Sequence, residues 1–340
     1  MNPLILIAHQ EEIGDRIMKK RTFLAATSLI LSPWSFLRAQ VSFPERPIRL
    51  VVPFAPGGDG DIMGRTWVKH MANLLPGANI VVDNKAGAGG VIGAAEVARA
   101  KPDGYTLLLG TSTTQIINPA ASGSVPYDPI KDFRLIGLVS ANPTCIVVNP
   151  KLPVNNLKEL VELIKANPGK YAYGSAGPGT ITNLTGELLK FFGGKLDMQH
   201  IPYKGGGPAM QDLIAGHVPI ITPILSSAVL AQHRAGKANI LSVNQLNRLK
   251  AAPDIPTSIE AGMADMHILV FNAVFSPVGV SQQALDILRS ASQKVINSAA
   301  FTQDVENAGG EVLALSDPDK FFNQEVARWS QLIKTIGFKI

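Results

Sequence analysis

Four glycine-rich turns and one run of hydroxyls carry the residues of this chain that could do chemistry, and that chemistry is anion binding. The first turn is Pro53-Phe54-Ala55-Pro56-Gly57-Gly58-Asp59-Gly60-Asp61, set between an apolar run, Ile48–Val52, and a helical pattern, Ile62–Leu75. A buried strand that turns sharply into a helix start presents unpaired backbone N–H groups and the positive end of a helix dipole, which suit a carboxylate or phosphate. No nucleophile with a base stands nearby. A second turn, Gly174-Ser175-Ala176-Gly177-Pro178-Gly179-Thr180, precedes the helical pattern that holds Asn183. Thr180 can cap that helix while its hydroxyl and the first N–H groups face a ligand; a cap that serves only the helix is the alternative. Tyr203-Lys204-Gly205-Gly206-Gly207-Pro208 offers a tyrosine fit for a pocket floor and a lysine that could balance charge. The run Gly110-Thr111-Ser112-Thr113-Thr114 follows a strand pattern and places Ser112 and Thr113 where open α/β sheets bind ligands.

Two enzymatic readings compete with this one. Tyr173-Gly174-Ser175-Ala176-Gly177 is close to a nucleophile elbow, but Tyr173 stands where G-x-S-x-G has its first glycine. An exported serine hydrolase using Ser175 would need a histidine near that hydroxyl. The fourth turn, Gly87-Ala88-Gly89-Gly90-Val91-Ile92-Gly93, has G-x-G-G-x-x-G spacing instead of the dinucleotide G-x-G-x-x-G, and Asp103 precedes a strand instead of ending one. A tight turn is the better reading there, and no cofactor is expected. The six histidines (His9, His70, His200, His217, His233, His267) are scattered, which points to surface or core roles and no metal site. Asp61 and Asp212 sit one turn into helices, where they favour the dipole or fix the loops.

The elements that must position these turns alternate between strand and helix patterns. Strand patterns cover Ile48–Val52, Ile80–Val82, Thr106–Leu109, Cys145–Val148, Ala172–Gly174 and Ile240–Val243. Helix patterns cover Ile62–Leu75, Val91–Ala100, Leu157–Asn167, Asn183–Phe192, Ala209–Ala215, Gln283–Ser298 and Lys320–Ile336. Alternation of this kind predicts an α/β fold with mostly parallel sheets flanked by helices. Interruptions at Ala141-Asn142-Pro143-Thr144 and Asp265-Met266-His267 read as two crossings of a hinge. One lobe would then be 40–142 plus 266–340, the other 143–265, with a ligand cleft between.

Met18-Lys19-Lys20-Arg21 and the apolar Thr22–Leu37 read as a signal peptide over 18–39, with 1–17 a mis-assigned start. The stretch is short for a bilayer span. Lys20-Arg21-Thr22-Phe23-Leu24 is also a variant of the twin-arginine motif, although the ordinary secretory route fits better. Cys145 is the single cysteine, so no intrachain disulfide can form, and its apolar run assigns it to the core. The chain carries 31 Lys and Arg against 26 Asp and Glu. Its basic residues form no run outside the signal, which argues against a nucleic-acid partner.

Together these residues resemble one family closely. Pro53-Phe54-Ala55-Pro56-Gly57-Gly58 with Asp61 and Arg65, Asn84-Lys85 with Gly87-Ala88-Gly89-Gly90, and Pro102-Asp103-Gly104-Tyr105-Thr106-Leu107 look like the tripartite tricarboxylate transporter substrate-binding proteins, the Bug family. Tyr127-Asp128-Pro129, Lys131-Asp132-Phe133, Tyr173-Gly174-Ser175, Pro202-Tyr203-Lys204-Gly205, Pro256-Thr257 with Glu260-Ala261-Gly262, and Ser276-Pro277 continue the resemblance in family order. It implies a periplasmic, monomeric, two-lobe binding protein of type II-like architecture. Such a protein delivers a small organic acid, a mono- or dicarboxylate, to membrane permease subunits, and is not an enzyme. The implied site joins Phe54, Ala55, Pro56, Gly57, Gly58 and Asp61 to Ser175, Gly177 and Thr180. Ser112, Thr113, Asn183 and Tyr203 complete the expected set. The family often has a histidine where Asn183 stands, an acid at Pro219 and a tryptophan near Phe271-Asn272. Loss of that histidine implies recognition less dependent on pH.

Overall fold

A computed structural model describes residues 43–340 apart from 76–78 and 251. The signal-peptide and start-site readings lie outside the described residues. Among the described residues ten strands form two five-stranded sheets. The first is ordered β2 (Ile80–Asn84), β1 (Ile48–Val52), β3 (Thr106–Thr111), β10 (Leu269–Pro277), β4 (Phe133–Pro143). The second is ordered β7 (Met198–Pro202), β6 (Tyr171–Ser175), β8 (Ile220–Ile221), β5 (Cys145–Val148), β9 (Asn239–Val243).

Each sheet has one reversed strand. β1 pairs parallel with β2 and β3, while β10 runs antiparallel to both β3 and β4. In the second sheet β6 pairs parallel with β7 and β8, and β5 runs antiparallel to β8 and β9. The reversed strands are the ones that follow a passage from one sheet to the other: β5 after β4, and β10 after β9. A strand arriving from the opposite sheet enters at the end where its neighbours finish, so its direction is opposite to theirs. Both sheets are therefore mixed where mostly parallel sheets were expected: four strands of each share one direction, and the inserted reversed strand makes two of its four pairings antiparallel.

Alternation along the strands sorts side chains onto two faces. Leu107 and Leu109 pack with Met63, Trp67 and Leu288 under the helices Asp59–Met71 and Gln282–Ile296. Leu108 and Phe275 pack with Phe322, Trp329 and Ile333 of the helix Pro318–Ile336. In the second sheet, Val147, Ile221 and Val243 meet Leu213 of the helix Gly206–Ala215 and Leu230 of the helix Ser227–Arg234.

Where the chain passes between the sheets, a fully buried polar network replaces the apolar core. Asn244 N–H donates to Thr144 O at 2.8 Å and Ile268 N–H to Asn244 O at 2.8 Å. The Asn244 amide donates to Thr144 Oγ1 at 2.8 Å, which also accepts from Thr185 Oγ1 at 3.1 Å. Thr144, Asn244 and Ile268, on the two segments that link the sheets, are thus tied side by side by backbone and side-chain bonds.

Candidate functional site

The turn after β1 is held open by one carboxylate. Asp61, in the first turn of the helix Asp59–Met71, is buried. Its Oδ2 accepts from the Gly57 N–H at 2.9 Å, its Oδ1 from Asn84 Nδ2 at 3.0 Å, and both from Arg65 Nε at 3.0 and 3.1 Å. Asn84 Nδ2 also donates to Phe54 O at 3.0 Å. Burial works against the Asp61 charge, yet the bonds from Arg65, Gly57 and Asn84 outweigh it and hold the carboxyl below its ordinary value. Gly57 sits at φ +82, a conformation that side chains disfavour. Gly58 is the helix N-cap and supplies no side chain. No acceptor among the described residues takes the N–H groups of Asp59, Gly60 and Asp61. An uncapped helix start with free amides results, flanked by the exposed Ala55 and Pro56.

Ser112 and Thr113 follow β3 in a π-helical turn that spans Thr113–Ile117. Ser112 Oγ accepts from the Phe271 N–H at 3.0 Å. Thr113 Oγ1 accepts at 3.2 Å from the N–H of Ile181, which begins the helix Ile181–Phe192 behind the second sheet. The turn 175–180 and the turn after β3 therefore meet directly. Gly89 and Asn118 join them from the first-sheet side: Asn118 Nδ2 donates to Gly89 O at 2.9 Å, and a Cβ on Gly89 would lie 3.4 Å from Pro178 O.

The turn 175–180 consumes its own amides. Gly177 N–H donates to Ser175 Oγ at 3.1 Å, Gly179 N–H to Asn183 Oδ1 at 3.2 Å, and Ala176 N–H to Thr182 Oγ1 at 2.9 Å. Thr180 Oγ1 caps the helix by accepting from Asn183 N–H at 3.3 Å, and donates to Gly177 O at 2.7 Å. Tyr203 packs its ring over Gly174, while its hydroxyl donates to Asp212 Oδ2 at 2.8 Å and so leaves the cluster. The structure therefore brings Thr113, beside Ser112, to the turn that holds Ser175, Gly177 and Thr180 and to the helix that holds Asn183, while the turn 54–61 approaches them through the first sheet, where Asp59 meets Asn272 opposite Thr111. The Tyr203 hydroxyl is directed elsewhere.

His200 is the residue that sequence reasoning passed over. It lies on β7 opposite Tyr173 of β6, with the two rings stacked at 5.0 Å. Its Nε2 is 2.7 Å from Ser175 Oγ, the neighbour that a serine hydrolase would need. The rest of that arrangement is missing. Ser175 is buried, its Oγ is bonded to both the amide and carbonyl of Gly177, and its partner histidine faces an amide instead of a carboxylate. Asn183 Nδ2 donates to Tyr173 Oη at 2.8 Å and faces His200 Nδ1 at 3.5 Å, while Tyr173 Oη donates to Glu187 Oε1 at 2.7 Å. With Asn183 Nδ2 the donor, His200 Nδ1 accepts and Nε2–H donates to Ser175. Departure from the family histidine at position 183 was expected to make recognition at this corner less dependent on pH. The fold restores a titratable group there from the next strand. Only the pairing of β6 with β7 could have revealed it.

Burial pulls the His200 pKa below its ordinary 6.5, with Glu187 opposing and Lys190 reinforcing the shift. The folded chain then resists a proton that the unfolded chain accepts, so stability falls as pH drops through about 6.5. His267, lowered by burial and Arg328 against Glu325, adds to the same window. We expect the Tm to fall between pH 7.5 and 5.5 and the fall to shrink in His200→Gln. An identical pH profile in the variant would remove His200 as a cause.

The chain is similar to known transporter receptors. The sequence model of the tripartite tricarboxylate transporter family receptor matches residues 64–338. A UPF0065 protein of Bordetella pertussis is 38% identical over 300 residues, covering 88% of this chain and 92% of that one. The solved periplasmic binding protein BugD shares 34% identity at a TM-score of 0.81, covering 87% of this chain and 99% of its own. An R. palustris protein solved with adipate shares 29% identity at a TM-score of 0.82, with the same two coverages. Among the described residues, no helix is long and apolar enough to cross a membrane and no group of three or more His, Cys, Asp or Glu could hold a metal ion.

Proposed function

This chain belongs to the tripartite tricarboxylate transporter receptor family, a family of solute-binding receptors and not of enzymes, and from that premise we propose that it captures a small organic carboxylate at the junction of its two sheets. It would do so in the periplasm, as a monomer, and pass the ligand to membrane permease subunits. The observation that carries this reading is the uncapped helix start at Asp59–Asp61, whose turn Asp61 pre-arranges. Free amides and a positive helix end stabilise a carboxylate without an arginine clamp, and trapped water can complete the shell. The Ser175 hydrolase reading falls with the family assignment.

The residues proposed to bind are Phe54, Ala55, Pro56, Gly57, Gly58 and Asp61 on one side, and Ser175, Gly177, Thr180 and Asn183 on the other. Ser112 and Thr113 lie at the floor, and Tyr203 supplies its ring as a wall. We take 40–142 with 266–340 as one lobe, 143–265 as the second, and the Thr144–Asn244–Ile268 contacts as the hinge. The related R. palustris protein solved with adipate makes a dicarboxylate a reasonable first ligand.

A thermal-shift screen of mono-, di- and tricarboxylates tests the reading. A ligand at a hundred times its Kd should add about 2.7 kcal/mol of stability and raise the Tm visibly. If no carboxylate shifts the Tm at saturation, the reading is lost. Gly58→Val localises the site. Gly58 has φ −80 and ψ 170, which valine accepts, and its Cβ would meet only Ala55 O at 3.6 Å. The fold should therefore hold while the isopropyl group blocks approach to the helix amides, with affinity down at least tenfold. Wild-type affinity in that variant would place the ligand elsewhere.

A further inference from the structure

Two buried oxygens beside the uncapped helix start have no donor among the described residues. Asp59 opens that helix, and its Oδ2 accepts from Asn272 Nδ2 at 2.9 Å. Its Oδ1 is buried and unpartnered among the described residues. Asn272 is fully buried on β10, opposite Thr111 of β3, the residue next to Ser112. Its Nδ2 bonds Asp59 Oδ2 and also Ser140 Oγ at 3.1 Å. That pairing fixes the amide, because turning it over would set its oxygen against the carboxylate. Asn272 Oδ1 is therefore an acceptor, and it too is buried without a partner.

The helix start thus sets free N–H groups and an unpaired carboxylate oxygen beside an unpaired amide oxygen from β10. Burial pushes the Asp59 carboxyl up to about 6, with the Asn272 bond working against that rise. Among the described residues no cation bonds to it, and Arg65, one turn further along the helix, is bound to Asp61. One carboxylate and one amide are also too few ligands for a dedicated metal site. Buried acceptors of this kind are costly unless a donor reaches them.

We propose that Asp59 and Asn272 receive the protonated amino group of the ligand, so that the site selects an amino carboxylate over its deaminated counterpart. The zwitterion matches the helix turn group for group, its carboxylate on the amides and its ammonium on the two oxygens. This rests on the receptor reading above and narrows its substrate class.

Isothermal titration with matched pairs tests it: aspartate and succinate, glutamate and glutarate, alanine and propionate. In any pair where binding occurs, the aminated member should bind at least tenfold tighter. Asp59→Asn should lower that preference at least tenfold. Near pH 6 the aminated ligand should release protons as it ionises Asp59, seen as a heat that depends on the buffer and is lost in the variant. Should Asp59→Asn fail to fold, the preference and proton release of the unaltered protein decide alone. Equal or tighter binding of the deaminated members overturns the inference and leaves the receptor reading intact. Absence of binding by every carboxylate overturns both.

Discussion

Replacing Gly179 by valine should lower ligand affinity about a hundredfold while each sheet stays folded. Gly179 lies in the turn 175–180 at φ +68, and a Cβ there would fall 2.3 Å from Ile340 Cδ1 and 2.9 Å from Asn118 Oδ1. Ile340 is half exposed and can swing away. Asn118 cannot, because its amide holds Gly89 O. The added group therefore pushes the second-sheet turn off the first-sheet residues, and opening at the proposed hinge would relieve it. A shift of about 3 kcal/mol against the closed form is worth roughly a hundredfold in apparent affinity. Left-handed backbone also costs a β-branched residue about 1–2 kcal/mol locally. Gly179→Ala with and without Asn118→Ala separates the two causes: relief of a clash restores affinity in the double variant, whereas backbone strain does not. Calorimetric titration reads the affinity and circular dichroism the fold. Unchanged affinity in Gly179→Val would mean that this contact plays no part in closure.

Much of the fold was open to reading because it is local. Cys145–Val148 is a continuous apolar run and Ile48–Val52 is apolar but for Arg49, as largely buried strands should be, and both form strands with those bounds. The helix Leu157–Lys165 follows from its apolar spacing and from Asn156, which caps it through Glu159 N–H. What escaped reading depends on distance along the chain. The reversed direction of β5 and β10 is set by where the chain enters each sheet, which no window of residues records. The helices Ser227–Arg234 and Ala299–Asn307 carry few apolar positions, and packing decides them.

The site divides along the same line. The turn 53–61 was legible because its chemistry is backbone chemistry, announced by proline and glycine between a strand and a helix. His200, Asn118 and Asn272 were not, since each arrives by strand register or tertiary packing. The turn 175–180 was read as a second cradle, yet its amides go to Ser175, Asn183 and Thr182. Such side chains compete with any ligand for the backbone, and their presence in the turn was visible while their aim was not.

Asp61 is the residue on which the first turn depends, and Asp61→Ala should abolish binding and weaken the fold. The substitution frees the Gly57 amide, leaves Asn84 Nδ2 only its bond to Phe54 O, and takes the carboxylate from Arg65. Arg65 is more than half exposed, so solvent takes over much of its interaction. The Gly57 and Asn84 donors carry the larger cost, about 2 kcal/mol together. Gly57 at φ +82 then has nothing to hold it, and the amides of Asp59, Gly60 and Asp61 lose their pre-arranged direction; affinity should fall at least a hundredfold. Asp61→Asn keeps an acceptor for Gly57 but not the charge, and should fall between the two. Because the folded carboxyl titrates below its ordinary value of 3.8, the stabilisation is present above that pH and disappears as pH falls below it. Urea unfolding at pH 7 and pH 3 should therefore separate the wild type from Asp61→Ala clearly at the higher pH and much less at the lower. Equal stability at pH 7 would show that the hydrogen bonds to Asp61 do not shape the turn, and wild-type affinity in Asp61→Ala would remove the turn from the site.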